Sequence, residues 1–239
     1  MKSWTRTLNI DDAHSLLACA ESGLTYAEWK SRARSLVEHI SADRQRELFR
    51  ILRDQFLTWN EDGTIADGLF LQYYNHSPAS AQIDLLDLQW ALSHEISLIA
   101  LSRLVGPALA ATSPNIPLSE LDALVAQHVD SKSSESLRKT RTVLLGALEG
   151  TGTLTTRGTG QHRSLSAARG TPHPTAFAYL IHLDLLRRGA VDMMASEAVE
   201  SSLGVRASMC TEDWARHCVG WAIDHGLLAA RDDTIGIPA

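Results

Sequence analysis

Arg46, Arg50 and Arg53 recur three and four residues apart between Ser41 and about Thr58. That spacing stacks them on one side of a helix, with Leu48, Ile51, Leu52 and Phe56 on the other. A second cationic group, Lys132, Arg138, Lys139, Arg157, Arg163 and Arg169, lies in the segment 132–171. With Arg141 that segment holds seven basic residues against two acids, Glu135 and Glu149. Guanidinium and ammonium groups so arranged make and break no bonds by themselves. They neutralise phosphates, and so position a protein on a nucleic-acid backbone. No Asn/Gln-rich face accompanies them to read bases. Both groups have a plainer reading. The 46/50/53 row serves as a solvated helix face beside Glu47 and Asp54, and the Gly/Ser/Thr-rich 151–171 ribbon as a disordered loop with incidental arginines.

Signatures of other chemistry are missing. There is no GxSxG, no HExxH and no glycine-rich loop closing on Lys-Ser/Thr. Gly158-Thr-Gly160 has neither the third glycine nor the preceding strand of a dinucleotide fingerprint, and fits a turn better than a phosphate loop. Ten histidines are scattered; His162 with His173, His182 with Asp184 and His217 with His225 lack the spacing of a zinc site. Cys19, Cys210 and Cys218 show no CxxC spacing and are expected as reduced, buried thiols. No catalytic residue, metal or cofactor is expected.

The chain has 239 residues, 44% hydrophobic and 21% charged, an ordinary globular composition. Its net charge of −6 hides a sorting by segment. Residues 28–53 carry +3 and 132–171 carry +5, whereas 1–27, 54–131 and 172–239 carry −1, −9 and −4. The 18 arginines among 22 basic residues suit phosphate recognition, and genomic composition bias explains them equally well. The first residues carry no apolar leader, and Ile96–Ala111 is interrupted by Arg103 and Gly106-Pro107. A cytoplasmic protein without membrane contact is expected.

Apolar periodicity predicts a mainly α protein. Asn9 or Asp11 caps a first helix, Thr25–Glu28 forms a capping box for a second, and Ser41 opens a third. One long buried helix is predicted from Ile83 to about Val105, with Gly106-Pro107 kinking or ending it. Two further helices, at 118–125 and about 134–149, lead into a basic hairpin. Beyond Pro172 come helices over 176–188, 196–203 and 212–225, then a terminal hairpin that repeats, in acidic form, the ending of the middle unit. The layout divides into a three-helix, helix-turn-helix-like unit (1–62), a central long-helix core (63–116), a winged-helix-like unit with a basic hairpin (117–172) and a helical extension (173–239).

The runs LLDLQWALSHEISLIALSRLV, IPLSELDALVAQHV and SSESLRKTRTVLLGALEGTGTL resemble the BrxA family, a small component of the bacterial BREX phage-exclusion systems. The resemblance covers about 80–160, and GLTYAEWKSRA with SADRQRELFRILRDQF is compatible with the family's opening helix-turn-helix. It implies a NusB-like helical bundle with winged helix-turn-helix-like units and short β-hairpin wings. It further implies a non-enzymatic protein that binds double-stranded DNA beside other BREX-type defence proteins. The acidic total and the extension after Pro172 are departures, so a protein–protein adaptor that assembles defence components without touching DNA stays open.

Overall fold

The structure is a computed structural model that describes residues 8–130, 133–158 and 164–238. Polar side chains fix where its first helices begin, by satisfying N–H groups that a helix start leaves without partners. Asn9 accepts from the N–H groups of Asp11 and Asp12 and opens α1 (Ile10–Leu17). Thr25 and Glu28 close a reciprocal box on α2 (Tyr26–Ala33), and Ser41 caps α3 (Ala42–Gln55). Leu16, Trp29, Leu48, Phe49 and Leu52 are fully buried between these helices. The Trp29 indole N–H, sealed from water, donates to the Leu16 carbonyl at 2.9 Å.

After α4 (Leu69–Asn75) and α5 (Ala79–Leu92), the predicted single helix from Ile83 to about Val105 is broken. The chain turns extended at His94 (φ −127, ψ 104) before α6 (Glu95–Ala100). The apolar pattern runs through the break because both sides are buried, in different cores. Leu85, Leu86 and Leu88 enter one; Ile96, Ala100, Leu101 and Val105 enter the other. The helix also does not stop at Gly106-Pro107. A π-helical turn, Leu101–Val105, has the Gly106 N–H donating to the Leu101 carbonyl and leads into α7 (Gly106–Ala110). The wider turn carries the chain past a proline that has no N–H to give.

Then follow β1 (Asn115–Ile116), α8 (Leu118–His128), α9 (Ser134–Gly150), β2 (Leu154–Arg157) and β3 (Ser164–Ala167). The three strands are antiparallel in the order β1-β3-β2, with Leu165 opposite both Ile116 and Thr156. Next come α10 (Pro174–Arg188), β4 (Asp192–Met194), α11 (Ala195–Glu200), α12 (Leu203–Ser208) and α13 (Glu212–Asp224). The last strands are β5 (Ala229–Arg231) and β6 (Thr234–Gly236), and the second sheet reads β4-β6-β5. Gly189 ends α10 in the left-handed conformation (φ 63) that its missing Cβ permits.

Helix, strand, helices, then a hairpin whose second strand takes the middle place therefore occurs twice. The second occurrence differs by the short α12. The first has a core of its own, from Ile96 to Ala167, while the second shares the larger core with α1–α5. Helix α9 serves both, sending Val143 and Ala147 into the larger core and Leu144, Leu145 and Leu148 into the smaller. The protein is mainly helical with two small antiparallel sheets, as the sequence predicts at that level. No helix among the described residues is long and apolar enough to cross a membrane.

Candidate nucleic-acid interface

Burial of its C-terminal half on two sides leaves the first turns of α9 projecting. Ser133 caps that end. Arg138 and Thr142 are exposed, while Leu137 is tucked against the smaller core. Lys139 bonds Glu135 one turn back at 2.6 Å, and that ammonium holds the Glu135 carboxyl below its usual range. Arg141 donates twice to Asp122 (2.9 and 3.2 Å), stapling α9 to α8. It lies nearer the apolar side, as its helical position predicts.

Past α9 the chain enters β2, where Arg157 is exposed beside Gly158 (φ 77) at the mouth of the hairpin. Arg169, just beyond β3, is exposed and donates to the Met209 carbonyl at 3.3 Å. Lys132 and Arg163 lie outside the described residues. Among the described residues no carboxylate pairs with Arg138 or Arg157. Both guanidinium groups are exposed, and Arg138 acts through space on Glu135 one turn back.

The row on α3 has a different character. Arg46 pairs with Asp43, and Arg53 pairs with Asp54 at 2.7 Å, which raises the guanidinium's already high pKa. Arg53 also lies over the Tyr26 ring, 5.4 Å from its centroid. Only Arg50 in that row is exposed with no carboxylate partner among the described residues. Exposed ion pairs are worth about 0–1 kcal/mol, so they can be exchanged for phosphates, yet each cancels part of the local positive field. The structure thus brings Arg138 and Arg157 onto one small unit with its own core, and leaves the α3 row on the larger core with two of its three arginines paired.

One cation of the same unit escaped the sequence reading. Arg103 is exposed on the π-helical turn. In sequence it registers only as an interruption of an apolar run; an arginine there is itself a sign that one side of the segment meets water.

The second occurrence of the layout keeps an exposed cation, Arg231, where β2 has Arg157, yet the segment 172–239 that holds it is acidic in total. On α13, Arg216 is held by Glu212 and Asp213. The β5–β6 turn presents Asp232, with φ 50, and Asp233. Among the described residues no three His, Cys, Asp or Glu side chains gather to hold a metal ion. No protein-family model, curated protein or solved structure matches this chain.

Proposed function

We propose that residues 95–167 form a winged helix-turn-helix, with α9 presented to double-stranded DNA and the β2–β3 hairpin as its wing. The protein is then a non-enzymatic accessory of a BREX-type phage-defence system in the cytoplasm, a NusB-like helical bundle that holds DNA mainly by its backbone. The observation carrying this reading is the coincidence of topology and charge. In the order helix–strand–helix–helix–strand–strand, with β3 central, two exposed cations that form no ion pair among the described residues, Arg138 and Arg157, fall on the second helix of the pair and on the hairpin. Contacts of this kind position a protein without reading sequence. Affinity should therefore depend steeply on salt and weakly on base composition.

A mobility-shift titration of duplexes of unrelated sequence at two salt concentrations tests it. Similar affinities that fall together as salt rises support the reading. Absence of a shift at low salt, or binding indifferent to salt, removes it.

A specific observation favours a second reading, the protein–protein adaptor. The acidic second occurrence of the layout, with Asp232 and Asp233 on its turn, repels phosphates and suits a basic protein surface, such as another BREX-type defence protein. Co-purification of such a component, with no mobility shift, supports the adaptor alone.

A further inference from the structure

A cavity of about 710 Å³ opens between α4 and the C-terminal elements α10 and α13. Its volume is in the range of small-molecule sites, and it lies where two parts of the fold meet, a common place for them. At its inner wall the Tyr73 hydroxyl bonds His182 Nδ1 at 3.0 Å. His182 is only 8% exposed, and its Nε2 is sealed from solvent; burial pulls its pKa down, and the Leu227 backbone beside it offsets that in part. Leu186, 56% exposed, stands on the lining as an apolar lip.

Two more imidazoles line the cavity. His76 Nδ1 donates to the Gln72 carbonyl and His225 Nδ1 to the Trp221 carbonyl, both at 2.8 Å. A carbonyl can only accept, so each neutral ring carries its proton on Nδ1 and leaves Nε2 as a lone pair. His225 lies flat on Trp221, centroids 3.8 Å apart and 17° between planes, which makes a continuous aromatic wall. The remaining charged group on the lining is the exposed Asp67 carboxylate; among the described residues no lysine or arginine reaches it. The Gln72 amide and Ser77 hydroxyl on the lining already donate inward, to Asp67 and to the Tyr73 carbonyl, so the exposed imidazoles offer acceptors on an aromatic and aliphatic wall with one negative charge.

We infer that this cavity binds a small planar aromatic molecule bearing N–H donors and a positive charge, an aromatic amine in chemical class. A donor group satisfies the imidazole lone pairs, the flat body covers the Leu186 and His225 wall, and the charge answers Asp67. An anion would meet a carboxylate with no cation to offset it. The site is independent of the DNA-binding reading, because it lies on the larger core and uses none of its cations.

Chemical-shift titration of the full chain with tryptamine, 3-methylindole and indole-3-acetate tests this with one ring system in three charge states. Tryptamine is expected to saturate with Kd on the order of 1 mM or tighter, and indole-3-acetate to bind at least about tenfold more weakly. Leu186→Arg, at an exposed position that the fold tolerates, should weaken tryptamine by about tenfold or more, through like charge and a blocked lip. Asp67→Asn should narrow the preference for tryptamine over 3-methylindole while leaving 3-methylindole unchanged. Absence of saturable binding, equal binding of the amine and the acetate, or indifference to Leu186→Arg overturns the proposal.

Discussion

Gly170 donates its N–H to the Ser208 carbonyl at 2.8 Å, and its α-carbon sits so close that an added Cβ would lie 2.6 Å from that oxygen. The Thr151 carbonyl would be 2.7 Å away on another side. Two backbone oxygens cannot swing aside as a side chain can. Gly170→Ala should therefore push the end of α9 from α12 and cost about 2–4 kcal/mol, judged from overpacking and the loss of a buried hydrogen bond. Thermal unfolding followed by circular dichroism reads the drop. An unchanged midpoint would mean that this junction yields freely.

Asp87, on α5, is buried and lies against Gly150 at the end of α9. Burial, helped by the Asp84 charge, raises its pKa from 3.8 to about 7. The folded state therefore binds a proton that the unfolded state releases between these values. Stability from this group is present below about pH 4, declines as pH rises through the window, and is gone above about pH 7. Asp87→Asn should be more stable than the parent at about pH 8, by roughly 2–4 kcal/mol, and equal to it near pH 4. His94 acts in the opposite sense: burial lowers its pKa to about 4, so its contribution fades as pH falls from about 6.5 to about 4. Denaturant melts of both proteins across this range check the signs.

Charge-pair geometry on α3 and α9 predicts unequal roles for cations that look alike in sequence. Arg138→Ala with Arg157→Ala should reduce the slope of log affinity against log salt by about 1.8, at roughly 0.9 for each phosphate contact. Arg46→Ala with Arg53→Ala removes two cations that already have carboxylate partners, and should change that slope by less than about half as much. Equal effects of the two pairs would place the α3 row on the DNA as well.

Asp184 is 3% exposed and holds several elements at once. It accepts from Arg188 at 2.8 and 3.0 Å and from the Leu203 N–H at 2.7 Å, tying α10 to the start of α12. Asp184→Ala leaves that amide without its acceptor and Arg188 with Glu197 as its remaining anion. It should cost about 3–5 kcal/mol. The Arg188→Ala change should cost less, because its cation is partly solvated. Urea midpoints of the two variants compare them directly.

Much of the helical framework was legible in sequence because its signals are local. Asn9, Thr25, Ser41 and Ser133 cap the helices that their spacing predicts, and Gly189 ends α10. What was hidden depends on distant partners. The break at His94 lies inside unbroken apolar sequence, and only the separation of two cores reveals it. The two hairpins were expected, but the lone strands that complete the sheets, Asn115–Ile116 beside two prolines and Asp192–Met194, carry too little pattern to announce themselves, so the matching strand orders appear only in three dimensions. For the cations, Asp43 before Arg46 and Glu135 before Lys139 were readable at helical spacing, whereas Asp122 reaching Arg141 from another helix was not. The wall around His182 was equally invisible, since Tyr73 lies 109 residues away in sequence.

The connection from β3 to α10 is short and fastened. Besides the Gly170 bond, the His173 N–H donates to Asp84 at 2.6 Å, and the Pro172 carbonyl accepts from the Trp214 indole at 3.2 Å. A linker so bolted cannot act as a swinging tether. Under the proposed readings, in which each copy of the layout grips a partner, the linker acts as a ruler that keeps the two at one separation and one orientation. Only pairs of partners whose own spacing matches would be held together, and longer or shorter assemblies would gain nothing from the second contact.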